Sequence, residues 1–92
     1  MTTTTPDDTK TIRFRLLGDL ALALSSLGCS NQVVLPALGS AVLYVDRRDR
    51  QTKLGIGTVE HDHRWVYTWS GRWASVHALD QVAQHIAQEV LA

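Results

Sequence analysis

The chain is expected to fold as an α+β two-layer domain in the order α-β-β-β-α, an antiparallel sheet of three or four strands packed by two helices. Three features of the 92 residues carry that expectation. Apolar residues recur at helical spacing near both ends, the middle of the chain alternates with the two-residue period of strands, and turn-forming residues separate the segments. Residues 6–92 are expected to form the domain and residues 1–5 a disordered tail, since Met1 to Thr4 offer nothing to pack.

Thr5 is a candidate N-cap, Pro6 suits the first helical position, and Asp7 and Asp8 place acids in the positive first turn. The helix can run to Leu27 and end at Gly28, which accepts the left-handed conformation without steric penalty. Ile12, Phe14, Leu16, Leu17, Leu20, Ala21, Ala23, Leu24 and Leu27 spread over roughly 200°, about twice the stripe a surface helix needs. Leu22 falls on the remaining polar side, beside Arg15 and Asp19. Such a helix is either wedged between the sheet and the second helix or also meets a copy of itself.

Val33 to Leu35, stopped by Pro36 and Gly39, either adds an edge strand or plugs the core. Ser40 to Asp46 is a better strand, with Ala41, Leu43 and Val45 on one face and Val42 and Tyr44 on the other; two apolar faces imply that both are covered. After the charged turn Arg47, Arg48, Asp49, Arg50, the strand from Lys53 to Glu60 puts Leu54, Ile56 and Thr58 on one side and Gly55, Gly57 and Val59 on the other.

Arg64 to Trp73 holds all three tryptophans and one of the two tyrosines, with Trp65, Tyr67 and Trp69 on one strand face. A three-residue loop of His61, Asp62 and His63 is expected, which sets Gly57 opposite Tyr67 and Gly55 opposite Trp69, each glycine beneath a ring. That register gives the sheet an aliphatic face of Leu43, Val45, Leu54, Ile56 and Val66 and an aromatic face of Tyr44, Trp65, Tyr67 and Trp69. A two-residue loop would instead set Tyr67 opposite Thr58. Ser70 and Gly71 form a turn, Arg72 to Ala74 can add a last short strand, and Ser75 can cap a helix from Val76 to Leu91. That helix lays Val76, Leu79, Val82, Ala83, Ile86, Ala87 and Val90 on the sheet and turns His77, Gln81, Gln84, His85 and Gln88 away from it. The order resembles that of double-stranded RNA-binding domains in topology alone. Where such a domain is expected to carry a lysine cluster, at the start of its last helix, this chain reads Val76, His77, Ala78, Leu79, Asp80, and no family follows.

Nine Lys and Arg balance nine Asp and Glu, and the pI is near 6.9, which argues against a surface that traps nucleic acid or anionic lipid as a whole. Cys29 is the single cysteine and cannot form an internal disulfide. With no signal segment and no apolar run approaching the ~20 residues of a membrane span, the chain is expected to be cytoplasmic, with no membrane partner. Seven arginines against two lysines, with plentiful Ala, Val and Leu, suggest a GC-rich bacterial genome. A domain of this size buries only roughly 60–65% of its unfolded surface, and self-association is a common remedy for the thin core.

Candidate chemistry is sparse. His61 and His63 form an HxH pair that could offer two imidazoles to zinc or nickel, with His77 or His85 as further ligands, but an exposed hairpin tip accounts for them more simply, and no cofactor is expected. Arg47, Arg48, Arg50, Lys53, Arg64 and Arg72 could track a single-stranded nucleic-acid backbone beside stacking rings, although Asp46 and Asp49 interrupt the set. There is no GxSxG, phosphate-cradling glycine loop or HExxH, and Cys29 follows a helix end whose partial negative charge disfavours a thiolate, so no enzyme is expected. What remains is surplus apolar surface at Tyr44, Trp65, Tyr67, Trp69, Trp73 and Leu22. The expectation is a small cytoplasmic protein–protein interaction module, a regulator or adaptor, homodimeric and with a protein partner; single-stranded nucleic-acid binding is the alternative.

Overall fold

The computed structural model describes residues 6–92; the expected tail of residues 1–5 and the Thr5 cap lie outside the described residues, as do the side chains of Asp7 and Asp8. Helix α1 (Pro6–Ser26) leads into strands β1 (Asn31–Val34), β2 (Val42–Asp46), β3 (Lys53–His61), β4 (Arg64–Trp69) and β5 (Arg72–Ser75). A 3-10 turn (Val76–Ala78) and helix α2 (Leu79–Leu91) follow. The α+β class holds, but the sheet has five strands rather than three or four, in the order β1-β2-β3-β4-β5. Every neighbouring pair is antiparallel.

The two extra strands have local causes. Helix α1 ends in a reciprocal pair of bonds, Cys29 N–H to the Leu24 carbonyl at 2.9 Å and Gly28 N–H to that of Ser25 at 3.0 Å, with Gly28 at φ +83°. This Schellman arrangement reverses the chain and buries Cys29 beside Leu24. The Asn31 amide then donates to the Ala21 carbonyl at 3.2 Å, which ties the start of β1 to the helix and lets Val33 and Val34 pair with Leu43 and Val42. At the other edge, Ser70 and Gly71 both take positive φ (48° and 73°), a two-residue turn that sets Arg72 opposite Trp69 and so creates β5. Ser75 caps the 3-10 turn rather than a long helix, its hydroxyl accepting from His77 N–H at 3.1 Å, and α2 starts at Leu79.

The β3–β4 hairpin corrects the expected register. Thr58, not Gly57, lies opposite Tyr67, and His61 pairs with Arg64, so the loop is the two residues Asp62 and His63. Both take positive φ, 51° and 62°. Two consecutive left-handed residues are what a type I′ turn requires, and its twist matches that of the flanking strands. Aspartate and histidine tolerate the conformation better than most residues, though less well than glycine. His63→Gly is therefore expected to stabilise the protein by up to about 1 kcal/mol, read as a rise in the midpoint of denaturant unfolding without a change in slope.

A one-residue change of register exchanges the faces of β4 relative to β3. Tyr67 and Trp69 consequently join Leu43, Val45, Leu54 and Ile56 under the helices, in one cluster with Leu17, Leu20 and Leu24 of α1 and Val82, Ala83, Ile86 and Val90 of α2. Both helices therefore cover the same side of the sheet. The Tyr67 hydroxyl donates to the Leu16 carbonyl at 2.7 Å. Trp65, on the same side, lies beneath the Arg13 guanidinium, 5.2 Å from its ring centroid, while Arg13 also donates to the Thr58 carbonyl at 2.6 Å.

Candidate functional site

Among the described residues no helix lies on the opposite face of the sheet. Strand alternation places Val34, Val42, Tyr44, Gly55, Gly57, Val59, Val66, Thr68 and Trp73 there, all uncharged. Charged residues border it: Asp46 and Lys53, paired at 3.5 Å, at one end, Arg64 at the hairpin mouth, and Arg72, which opens β5 and lines the groove. Between them runs a groove of about 760 Å³. Tyr44 on β2 forms one wall, Trp73 on β5 the other, and Gly55 and Gly57 the floor.

The glycines shape the floor in different ways. Tyr44 pairs with Gly55, and its ring lies 3.5 Å from where a Cβ of Gly55 would stand, so the expected ring-over-glycine contact exists with Tyr44 in place of Trp69. Gly57 has no ring above it; a Cβ there would approach only the Thr68 hydroxyl, at 3.3 Å. It is the open part of the hollow. Val66 is only 7% exposed although no helix covers it. The rings of His61 on β3 and Trp73 on β5 meet with centroids 6.4 Å apart, and to do so they must bridge β4 above Val66. Trp73 is nevertheless 65% exposed, a large cost for an indole left facing water.

The structure separates the residues expected to form one aromatic interaction face. Tyr44 and Trp73 belong to the open face. Tyr67 and Trp69 are 1% and 6% exposed and are core residues, and half-buried Trp65 is occupied by Arg13. Leu22 is 71% exposed on the outer side of α1, far in register from the groove. Val42, expected on the face of Tyr44, Val59, expected on that of Gly55 and Gly57, and Val66, expected instead on the aliphatic face, complete the open face.

Five of the six basic residues, Arg47, Arg48, Arg50, Lys53 and Arg72, lie at one end of the sheet and Arg64 at the other, and two of the five are paired with acids. Arg47 pairs with Glu89 of α2 at 3.6 Å, Glu89 also accepts from the Ser70 hydroxyl at 2.8 Å, and Arg48 N–H bonds the Val90 carbonyl at 2.8 Å, so this loop caps the end of α2. Asp49 holds the loop itself: its carboxylate accepts from the Gln51 and Thr52 N–H groups, which keep its pKa below the ordinary value. Arg48 and Arg50 are exposed there, with Arg72 in the neighbouring turn, whereas Arg64 is at the opposite end of the sheet. His61 contacts Trp73 and lies 3.4 Å from Asp62, and exposed His63 occupies the turn. Among the described residues no group of three His, Cys, Asp or Glu is placed to hold a metal ion. Burial pushes the Cys29 thiol up, away from the reactive thiolate. No helix among the described residues is long and apolar enough to cross a membrane. The chain matches no family model, no curated protein and no solved structure.

Proposed function

We propose that this chain is a small cytoplasmic interaction module, a regulator or adaptor, whose working surface is the open face of its sheet. One observation carries the reading: both helices lie on one side, which leaves Tyr44, Val59 and Trp73 exposed around a glycine-floored groove, with Val34 exposed at the β1 edge of the same face. Tryptophan, tyrosine and aliphatic side chains around a recess form the kind of surface on which protein contacts concentrate their binding energy. A small molecule is the weaker fit, because the recess is a broad groove across a sheet face rather than an enclosed cleft, lined mainly by aliphatic, glycine and aromatic residues with Tyr44, His61, Thr68, Ser70 and Arg72 as its polar ones. Single-stranded nucleic acid gains little support, since Tyr67 and Trp69, which would stack bases, lie under the helices, and two of the clustered cations, Arg47 and Lys53, are paired with Glu89 and Asp46.

The test uses 8-anilinonaphthalene-1-sulfonate on dilute protein. Val59→Asp and Trp73→Asp are each expected to weaken dye binding at least about 10-fold, while Leu22→Asp leaves it unchanged. Dye binding that ignores the first two variants and disappears in the third would overturn the assignment of the face. Binding of oligothymidylate that falls steeply with salt and is lost on Arg47→Ala, Arg48→Ala and Arg50→Ala would establish the nucleic-acid reading instead.

A further inference from the structure

We infer that the free edge of β5 takes an extended acidic segment of a partner protein as a sixth, antiparallel strand, whose acidic side chains enter the recess between β5 and α2 beside Arg72 and His85. That the partner is a protein rests on the reading of this chain as an interaction module; the edge is a separate surface from the open face.

The register of the last hairpin exposes the bonding groups. The two-residue turn at Ser70 and Gly71 makes Trp69 and Arg72 a pair that exchanges both main-chain hydrogen bonds, and alternation along the ladder gives the next such pair to Tyr67 and Ala74. Trp73 lies between them. Its N–H and C=O therefore point away from β4, to the side on which the order β1-β2-β3-β4-β5 has no further strand. A residue set opposite Trp73 on an incoming antiparallel strand accepts one of these bonds and donates the other. Sheet edges recruit extended segments in this way: main-chain bonds hold the strand, and pockets for alternate side chains select it.

The recess beside this edge supplies the selection. Partners across a ladder share a face, so Arg72 and Ala74 follow Trp69 and Tyr67 to the helix side. There Trp69, Arg72 and Ala74, with His85 of α2, border a recess of about 410 Å³ that no acid lines. Among the described residues the side chains of Arg72 and His85 have no hydrogen-bond or ion-pair partner, and neither has the Trp69 indole N–H. Glu89, one turn beyond His85, is held instead by the Ser70 hydroxyl at 2.8 Å and by Arg47 at 3.6 Å. Donors and positive charge without an acid ask for a carboxylate. The incoming residues opposite Arg72 and Ala74 would turn into the recess, and the one opposite Trp73 would emerge beside the exposed indole, so the favoured pattern is acid, apolar, acid. A second copy of β5 is the poorer occupant, since it would bring its own Arg72 against Ala74, into a recess that already holds a cation.

An NMR titration of the full chain with a blocked heptapeptide, Glu-Val-Glu-Val-Glu-Val-Glu, to about 2 mM tests this. Saturable shifts are expected at Arg72, Trp73, Ala74 and His85, and hydrogen exchange of the Trp73 amide should slow at least about 10-fold at saturation, because a free N–H becomes bonded. The same residues arranged in blocks, Glu-Glu-Glu-Glu-Val-Val-Val, should bind at least about 10-fold more weakly, since charge alone does not make a strand. Arg72→Glu is expected to weaken the alternating peptide at least about 10-fold, while Lys10→Glu, the same charge change on exposed α1, leaves it within about 2-fold. If Arg72→Glu disturbs the fold by circular dichroism, His85→Glu, exposed on α2, is expected to weaken binding in the same direction and decides. Equal affinity for the two peptides, or saturation with Trp73 amide exchange unchanged, would overturn the added strand. An alternating peptide that does not bind would overturn the acidic occupant; if dye binding is still lost in Val59→Asp, the open face stands and the edge alone falls.

Discussion

Tyr67→Ala is expected to lower the free energy of unfolding by about 3–5 kcal/mol, a large part of what a domain this small can possess. Tyr67 is the largest of the fully buried side chains and stands between β4 and α1. Its deletion removes ring packing and also the 2.7 Å hydrogen bond to the Leu16 carbonyl. Tyr67→Phe separates the two contributions: it keeps the ring, loses the bond, and should cost only about 1 kcal/mol. The same residue gives a signature in alkali. Burial first, and the Asp19 charge second, push the Tyr67 phenol from 10.0 up to about 12. The folded state thus holds this proton more tightly than the unfolded chain. Its contribution is complete below pH 10 and is lost as pH rises from about 10 to 12, a decline on the order of 2–3 kcal/mol. Denaturant titrations of the wild type and Tyr67→Phe across that interval check the sign: the extra downward slope should be present in the first and absent from the second.

Trp69→Ala is expected to destabilise the fold by about 3–5 kcal/mol, and Trp73→Ala, four residues on, by less than about 1 kcal/mol. The contrast follows from the two-residue turns on either side of β4, which direct Trp69 beneath the helices and Trp73 to the open face. Among the described residues the buried Trp69 indole N–H has no hydrogen-bond partner, so its effect is one of packing. Urea unfolding of both variants measures the difference. Comparable losses would mean that β4 and β5 do not present opposite faces at these two positions.

That pair of tryptophans also shows how far the sequence could be read. Alternation within each strand was legible: Leu43 and Val45 part from Val42 and Tyr44, and Leu54, Ile56 and Thr58 part from Gly55, Gly57 and Val59, because each follows from the pleat alone. The end of α1 was legible too, since Gly28 is a residue type that takes a positive φ there. How β4 lies against β3 was not. It depends on whether Asp62 and His63 close the hairpin by themselves, and neither residue marks a type I′ turn as Asn-Gly would. An apparent gain, a ring over each glycine, favoured the other register. The real compensation comes from Tyr44 on Gly55, while Gly57 stays open and becomes the floor of the groove. The site was therefore half visible: Val42 with Tyr44, and Val59 with Gly55 and Gly57, follow from alternation, but the faces of Val66 and Trp73 are decided only by the turns on either side of β4. Strands β1 and β5 were equally hard to weigh, being four residues each and held by a side-chain amide and a tight turn rather than by their own composition.

The most direct test is a titration with 8-anilinonaphthalene-1-sulfonate followed by amide and indole NMR, with each signal assigned. Shifts that move with added dye at Gly55, Gly57, Val59, Thr68 and the Trp73 indole, while Phe14 and Leu22 on the outer side of α1 stay fixed, are the predicted result. Shifts gathered on α1 with the open sheet face unchanged would contradict it.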